Sequence, residues 1–231
     1  MRSANGIEEG GSLVDLAVRR VREHIRAADL KVGDTLPGEG KFAADLGVSR
    51  AVMREAFGAL AALRLIDVAN GRRARVGAID GSVMGTSLDH AVATAQVSVA
   101  EVWDVRCTLE LRTADLAARN RSDADAAVIV DAAAAMRSAT RTDEVTRHDI
   151  AFHQAIARAS GNALFLQIVR SFEPLMTVAV PLAWQTRETD AAREEVLTRH
   201  RRIAEAIADR DGANAAALMH AHFDVSIGSV L

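Results

Sequence analysis

The 231-residue sequence holds one cysteine, Cys107, which excludes an intrachain disulfide and makes a reduced, cytoplasmic setting the natural expectation. Long apolar runs are also missing. The longest, Leu175 to Trp184, is interrupted by Pro181 and falls well short of the roughly 20 residues a membrane helix needs, so it reads as a core or interface helix and no membrane partner is expected. No basic segment followed by an apolar core opens the chain. Met1 to Ser12 is polar and glycine-rich, the composition of a flexible tail, and secretion is not expected. Excess positive charge is lacking too: 28 Lys plus Arg against 31 Asp plus Glu leave a net charge of −3. Sequence-independent coating of nucleic acid rests on neutralising phosphates, so any nucleic-acid binding here must be local.

What charge there is divides unevenly. Residues 1–78 hold 13 Lys plus Arg against 10 Asp plus Glu, whereas residues 79–231 hold 15 against 21, a head at +3 and a body at −6. Two domains accommodate this better than one, and 49% hydrophobic residues suffice for two modest cores.

The head is most informative between residues 36 and 76, LPGEGKFAADLGVSRAVMREAFGALAALRLIDVANGRRARV. Phe42, Ala43 and Leu46 have the i, i+3, i+4 spacing of a helix face, which predicts a helix over Glu39 to Leu46 that Gly47 ends. Ser49 stands at an N-cap position, so a second helix is predicted from Arg50. At 100° per residue this helix places Val52, Ala56, Ala59, Leu60 and Leu63 inward and Arg50, Arg54, Gly58 and Ala61 outward. A small, basic outer face suits entry into a major groove, where a guanidinium bridges guanine O6 and N7 or clamps a phosphate; a solvated amphipathic helix has the same pattern. Beyond it, Leu65, Ile66 and Val68 lead into Asn70-Gly71, a pair suited to a type I′ hairpin turn, and Ala74 and Val76 lead out. Arg72, Arg73 and Arg75 crowd the tip and return strand of this ribbon, as in a wing lying on phosphates.

These segments resemble the winged-helix regulators of the GntR family, with LPGEGKFA at Leu36 to Ala43, VSRAVMREAF at Val48 to Phe57 and NGRR at Asn70 to Arg73. The resemblance implies double-stranded operator DNA as partner and DNA contacts at Arg50, Arg54, Gly71 and Arg72, with Ser49 at the start of the recognition helix. It also exposes a departure: the family arginine after the LPSE glutamate is Gly40 here. Lys41 is the nearby candidate phosphate contact, but a lysine is a point charge and lacks the arginine fork.

After a polar, small-residue stretch from Gly77 to about Gln96, the body reads as successive Ala-rich helices broken near Arg121-Ser122, Thr140 to Asp143, Ser160 to Asn162, Gln185 to Asp190 and Arg210 to Gly212. With no convincing strand, repeat or heptad run, an antiparallel helical bundle is expected. Asp149 and His153, four apart in a helix predicted over about residues 144–159, project from one face about 40° apart. They suit either a shared metal or a plain hydrogen-bonded couple. His200 and His222 each lie eleven residues from Asp211 in the Arg210-Asp211-Gly212 turn, so an antiparallel hairpin brings them level after about 16 Å of rise; two unrelated histidines is the other reading. His148 and His220 point about 100° and 160° away from these faces, and they, His24 and His90 are excluded from the candidate site. Arg106 shares a helix face with Val99, Val102, Trp103, Leu109 and Thr113; a guanidinium at the core edge needs an anion, either an effector carboxylate or Glu110 one turn on.

The body, too, is similar to a known type, the FCD ligand-binding domain of the FadR subfamily of GntR regulators, through DIAFHQAIARASGN at Asp149 to Asn162, HRRIAEAI at His200 to Ile207, and His222. The resemblance implies metal ligation by Asp149, His153, His200 and His222, dimerisation through the body, and a small organic or sugar acid as effector. Three imidazoles and a carboxylate suit a borderline cation such as Zn²⁺, Ni²⁺ or Mn²⁺ and leave one or two positions for water or an effector oxygen.

The resulting expectation is a mainly α chain: a tail (1–12), a winged helix-turn-helix domain with a β-hairpin wing (13–78), a linker (79–96) and an all-α effector-binding bundle (97–231). Its function is read as a homodimeric, ligand-responsive transcriptional regulator, a repressor controlled by a small carboxylate, and not an enzyme. The competing reading is a metal-dependent hydrolase that activates water at the Asp/His₃ site.

Overall fold

The computed structural model describes residues 12–69 and 71–227, with side chains to Phe223. The chain divides into two compact units, Met1–Val83 and Met84–Leu231. The expected tail, apart from Ser12, lies outside the described residues.

The first unit opens with α1 (Leu13–Ala27), started by a capping box in which the Ser12 hydroxyl accepts from the Asp15 amide at 3.1 Å and the Asp15 carboxylate accepts from the Ser12 amide at 2.9 Å. The predicted pair follows as α2 (Glu39–Leu46) and α3 (Arg50–Ala62). Gly47 closes α2 at φ +67°, a left-handed cap that glycine adopts without strain. The Ser49 hydroxyl accepts from the Val52 amide at 3.2 Å and starts α3.

The buried stripe of α3 is rotated from the predicted one. Met53, Ala56, Phe57 and Leu60 enter the core with Ala17, Val21, Leu36 and Phe42, whereas Ala59 and Leu63 are exposed and Val52 is half-buried. The i, i+3, i+4, i+7 stripe containing Met53 and Phe57 removes far more apolar area from water than one built on Ala59. Arg50, Arg54 and Gly58 stay outward; Ala61 is half-buried.

The wing is shorter in strand and longer in loop than expected. β1 (Ile66–Asp67) pairs antiparallel with β2 (Arg75–Val76), Ile66 opposite Val76 and Asp67 opposite Arg75, so the connection spans 68–74, and within it the Arg72 amide donates to the Ala69 carbonyl at 3.1 Å, closing a turn where one was expected. Arg75 also bridges to Thr35, and the Leu36 amide donates to the Ala74 carbonyl at 2.8 Å. The return strand thus pairs with residues 33–36 on its other side as well as with β1. Asn70 lies outside the described residues.

In the second unit, the stretch expected as a linker over 79–96 carries α4 (Ser82–Ala93). The bundle continues through α5 (Val99–Asn120), α6 (Asp123–Ser138), α7 (Thr142–Ala159), α8 (Ala163–Ser171), α9 (Glu173–Gln185), α10 (Asp190–Ala208) and α11 (Gly212–Ile227). All five expected breaks occur. A sixth separates α8 from α9 at Phe172, where the pair bends by 57°. Ser98 and Ser122 start α5 and α6 with capping boxes, and Asn162 and Thr189 cap α8 and α10.

Helix α5 packs on α7 and α11, and α10 on α6 and α11. Small residues such as Ala114, Ala118, Ala155, Ala204 and Ala215 let these helices approach around Ile129, Phe152, Ile156, Ile203 and Ile207. That close core places α5, α7, α10 and α11 side by side.

Candidate metal centre and nucleic-acid interface

Four helices of the bundle converge on one buried polar cluster. Asp149 and His153 come from α7, His200 from α10 and His222 from α11, and all four are buried. One ring nitrogen from each histidine lies within 4.8 Å of those of the other two. The His200 and His222 rings are 4.6 Å apart between centroids, the levelling expected of a hairpin at Asp211, and His153 lies 5.3 Å from His222. Asp149 Oδ1 stands 3.1 Å from His200 Nε2 and 4.0 Å from His153 Nε2.

The hydrogen bonds around the rings decide which atoms face inward. His200 Nδ1 donates to the Val196 carbonyl at 2.9 Å, so in the neutral ring Nε2 is a lone pair facing the Asp149 carboxylate. Two acceptors 3.1 Å apart require a shared proton or cation. On α5, Glu110 accepts from His153 Nδ1, and His153 Nε2 is left buried with no hydrogen-bond partner. This donor set fits a borderline divalent cation, with Glu110 and the Val196 carbonyl orienting the ligands from behind.

Charge within the cluster is held in place by pairing. Burial raises the Asp149 carboxyl, but with the shared proton on His200 Nε2 the hydrogen bond it makes to Asp149, together with the nearby His153 and His200, outweighs burial and holds Asp149 well below the usual carboxylate range. Burial likewise opposes ionisation of Glu110, while the Arg106 guanidinium and His153 lower it on balance. His222 is shifted well below its ordinary value by burial and then by His200 and His153, which keeps the imidazole in its ligating, neutral form.

Of the two anions considered for Arg106, the structure supplies Glu110. Arg106 is buried, its Nε donates to Glu110, and the guanidinium rests 5.2 Å from the Trp103 ring and 5.4 Å from Phe223. Glu110 therefore links Arg106 to His153. Trp103, Arg106, Asp149, Trp184, Arg187, His200 and His222 line one cavity. Sequence reasoning missed Glu110 as a histidine partner, although its inward i+4 relation to Arg106 carried a signal. It also missed Arg187, which follows α9 where no periodicity marks a face.

The excluded histidines lie elsewhere. His148 is half-buried, His220 and His90 are exposed, and His24 stacks edge-on against Phe42 at 5.2 Å in the first unit.

In the first unit, Lys41, Ser49, Arg50, Arg54, Gly71 and Arg72 are all exposed. Arg50 and Arg54 lie one turn apart at the start of α3, and Arg72, Arg73 and Arg75 remain exposed on the wing. Lys41 Nζ is 3.2 Å from Asp45, and the Ser49 hydroxyl is engaged by the helix it caps. The guanidinium of Arg50 lies against Gly40.

A helix-turn-helix with a small wing, followed by a helical bundle around a buried histidine cluster, defines a DNA-binding regulator with a separate helical body. Residues 13–76 match the family model for bacterial regulatory proteins of the gntR family, and residues 101–225 match the FCD domain. The chain belongs to the GntR family of regulators and carries an FCD domain; it is a transcription factor and not an enzyme, which removes the hydrolase alternative. It is 31% identical over 204 residues to the HTH-type transcriptional regulator LutR of Bacillus subtilis (strain 168), covering 86% of this chain and 92% of that one. It is 30% identical over 175 residues to the Glc operon transcriptional activator of Escherichia coli (strain K12), covering 73% and 69% respectively. The solved Streptococcus agalactiae GntR has the same fold, with a TM-score of 0.62 at 22% identity over 91% of this chain and 97% of that one. Among the described residues no single helix is long and apolar enough to cross a membrane.

Proposed function

We propose that this chain is a FadR-subfamily, homodimeric repressor whose helical body binds a divalent cation and a small organic or sugar acid, and whose heads read a two-fold operator. The observation that carries the reading is the inward-facing donor set: three imidazole nitrogens within 4.8 Å of one another, one of them buried without a partner, beside an ionised Asp149. Zn²⁺, Ni²⁺ and Mn²⁺ all suit His153, His200, His222 and Asp149, and the cation would supply a Lewis-acidic position for an effector oxygen. Arg106 stands in the same cavity as a further effector contact, steadied by Glu110.

In the head, residues 13–78, Arg50 and Arg54 are the base or phosphate contacts of the recognition helix, with Ser49 and Lys41 at its approach and Gly71 and Arg72 on the wing. Residues 97–231 form the effector and dimerisation body in this reading. An acid that fits the cavity better in one arrangement of the body than in another has different affinities for the two and shifts their balance. The assignment as a repressor takes the arrangement favoured by the acid to be the one with the weaker hold on the operator.

Metal analysis after dialysis against Zn²⁺, followed by operator titration with and without a panel of carboxylic acids, tests the reading. Stoichiometric metal in the wild type and none in His200→Ala is the expected result. Equal metal in both, or operator affinity indifferent to every acid that binds, overturns it. A transcriptional reporter that falls when the regulator is deleted would reverse the sign to activation.

A further inference from the structure

Two arginines line the metal-side cavity, and the structure separates their roles. Arg106 is neutralised by Glu110. Arg187 is half-buried, on the turn after α9, and its guanidinium donates to the Ala183 carbonyl; no carboxylate among the described residues pairs with it. Burial pushes its pKa down, opposed by Asp149 and reinforced by Arg199. A partly desolvated guanidinium lacking an acid is a costly arrangement that a bound anion relieves. In the same cavity the Trp103 indole nitrogen is buried without an acceptor. An indole donor without an acceptor and a guanidinium without a carboxylate partner, from separate elements, thus line the space that contains Asp149, His200 and His222.

Resting on the metal-and-acid reading above, we propose that Arg187, rather than Arg106, is the principal carboxylate anchor of the effector, and that Trp103 donates to a second oxygen of the same molecule. The ligand class is therefore a small acid bearing a carboxylate and another oxygen function, a hydroxy or second carboxyl group. With both carboxylate oxygens taken by the Arg187 fork, a plain monocarboxylate leaves the Trp103 indole unpaired. Arg187 also belongs to the connection between α9 and α10, so its capture of an anion ties occupancy to that connection.

Both tryptophans of the chain, Trp103 and Trp184, line this cavity, and the chain has no tyrosine, so intrinsic fluorescence reports directly on it. The test titrates full-length protein, with and without Zn²⁺, against propionate, lactate, malonate and malate, using fluorescence for wild type, Arg187→Ala and Arg187→Lys and calorimetry for all variants including Trp103→Phe. Lactate or one of the dicarboxylates is expected to bind better than propionate, which distinguishes the hydroxy from the dicarboxylic source of the second oxygen. Arg187→Ala should weaken that acid about ten- to a hundredfold with unchanged Zn²⁺ content, and Arg187→Lys should recover part of the loss. Trp103→Phe should weaken lactate or malate but leave propionate unaffected. Wild-type affinity in Arg187→Ala, propionate binding as well as the oxygen-rich acids, or no acid binding to the wild type overturns the proposal. If Zn²⁺ fails to bind while an acid binds through Arg187, the metal reading fails and the anchor stands.

Discussion

The guanidinium of Arg50 lies against Gly40: a Cβ built on the glycine meets Arg50 Nε and Nη2 at 3.8 Å. Position 40 is where the family pattern has an arginine, and here a side chain from the next helix uses the space beside it. An alanine fits there at ordinary contact distance, but an arginine competes with Arg50 for room and repels its charge.

Gly40→Arg should therefore alter operator selectivity rather than simply add affinity. Fluorescence anisotropy against wild-type and single-base-changed operators reads this, with Arg54→Ala as the benchmark at a cost of about 1–3 kcal/mol if Arg54 contacts a base pair. An identical ranking of operators in Gly40→Arg and wild type would show that the Arg50–Gly40 contact is incidental.

Glu110→Gln should keep the fold and a hydrogen-bonding group at His153 Nδ1 but remove the carboxylate that orients the ring. Loss of such a partner lowers metal affinity about 10- to 100-fold. Chelator competition with Zn²⁺ measures it. Glu110→Ala is the harsher variant, since it leaves the buried Arg106 unpaired at a cost of about 3–5 kcal/mol. Unchanged Zn²⁺ affinity in Glu110→Gln would confine Glu110 to pairing Arg106.

Asp15, Glu101 and Asp125 are the acidic partners of three capping boxes, and hydrogen bonds from Ser12, Ser98 and Ser122 hold each below its ordinary value. A carboxylate with a lowered folded pKa binds fewer protons folded than unfolded, so its contribution is full above the unfolded value and disappears as pH falls through the folded one. With ordinary values of 3.8 and 4.5, thermal stability should be steady near neutrality on this account and fall below about pH 4.5. Replacing the three acids by Asn, Gln and Asn should flatten the acid limb in melting experiments. An acid limb of unchanged steepness would move the effect elsewhere, to Glu110 and Asp149 first.

Gly77 closes the wing against the end of α3. A Cβ there comes 2.4 Å from the Arg64 carbonyl oxygen and 3.1 Å from the backbone carbons of Arg64 and Leu65, so Gly77→Ala forces backbone to move. A cost of about 1–3 kcal/mol is expected in the first unit, with Zn²⁺ binding by the second unit intact. Calorimetric melting and metal titration on the same sample separate the two effects; a wild-type melt would mean the Arg64–Leu65 segment yields freely.

Local chemistry accounts for what was legible beforehand. Gly47 and Ser49 punctuate α2 and α3 because a left-handed cap and an N-cap are properties of one or two residues. The four-residue step from Asp149 to His153, and the equal spans from Asp211 to His200 and His222, translate directly into one face and one height. The rotated face of α3 was less legible because helical period alone permits neighbouring stripes, and burial of Met53 and Phe57 against α1 and α2 selects between them. Likewise Asn70-Gly71 marked a turn that the Arg72-to-Ala69 hydrogen bond closes, whereas the pairing of the return strand with residues 33–36 had no local signal.

The sequence by itself determined the two-part plan, five of the helix breaks and the four residues that meet in the body, since each depends on spacing, capping or composition. Only the tertiary structure decided that Glu110 ties Arg106 to His153, that Arg187 stands without an acid in the same cavity, and that Arg50 rests on Gly40. These pairings join residues from different helices or turns, and which donors and charges remain unsatisfied is set by packing in three dimensions, a property no local pattern encodes.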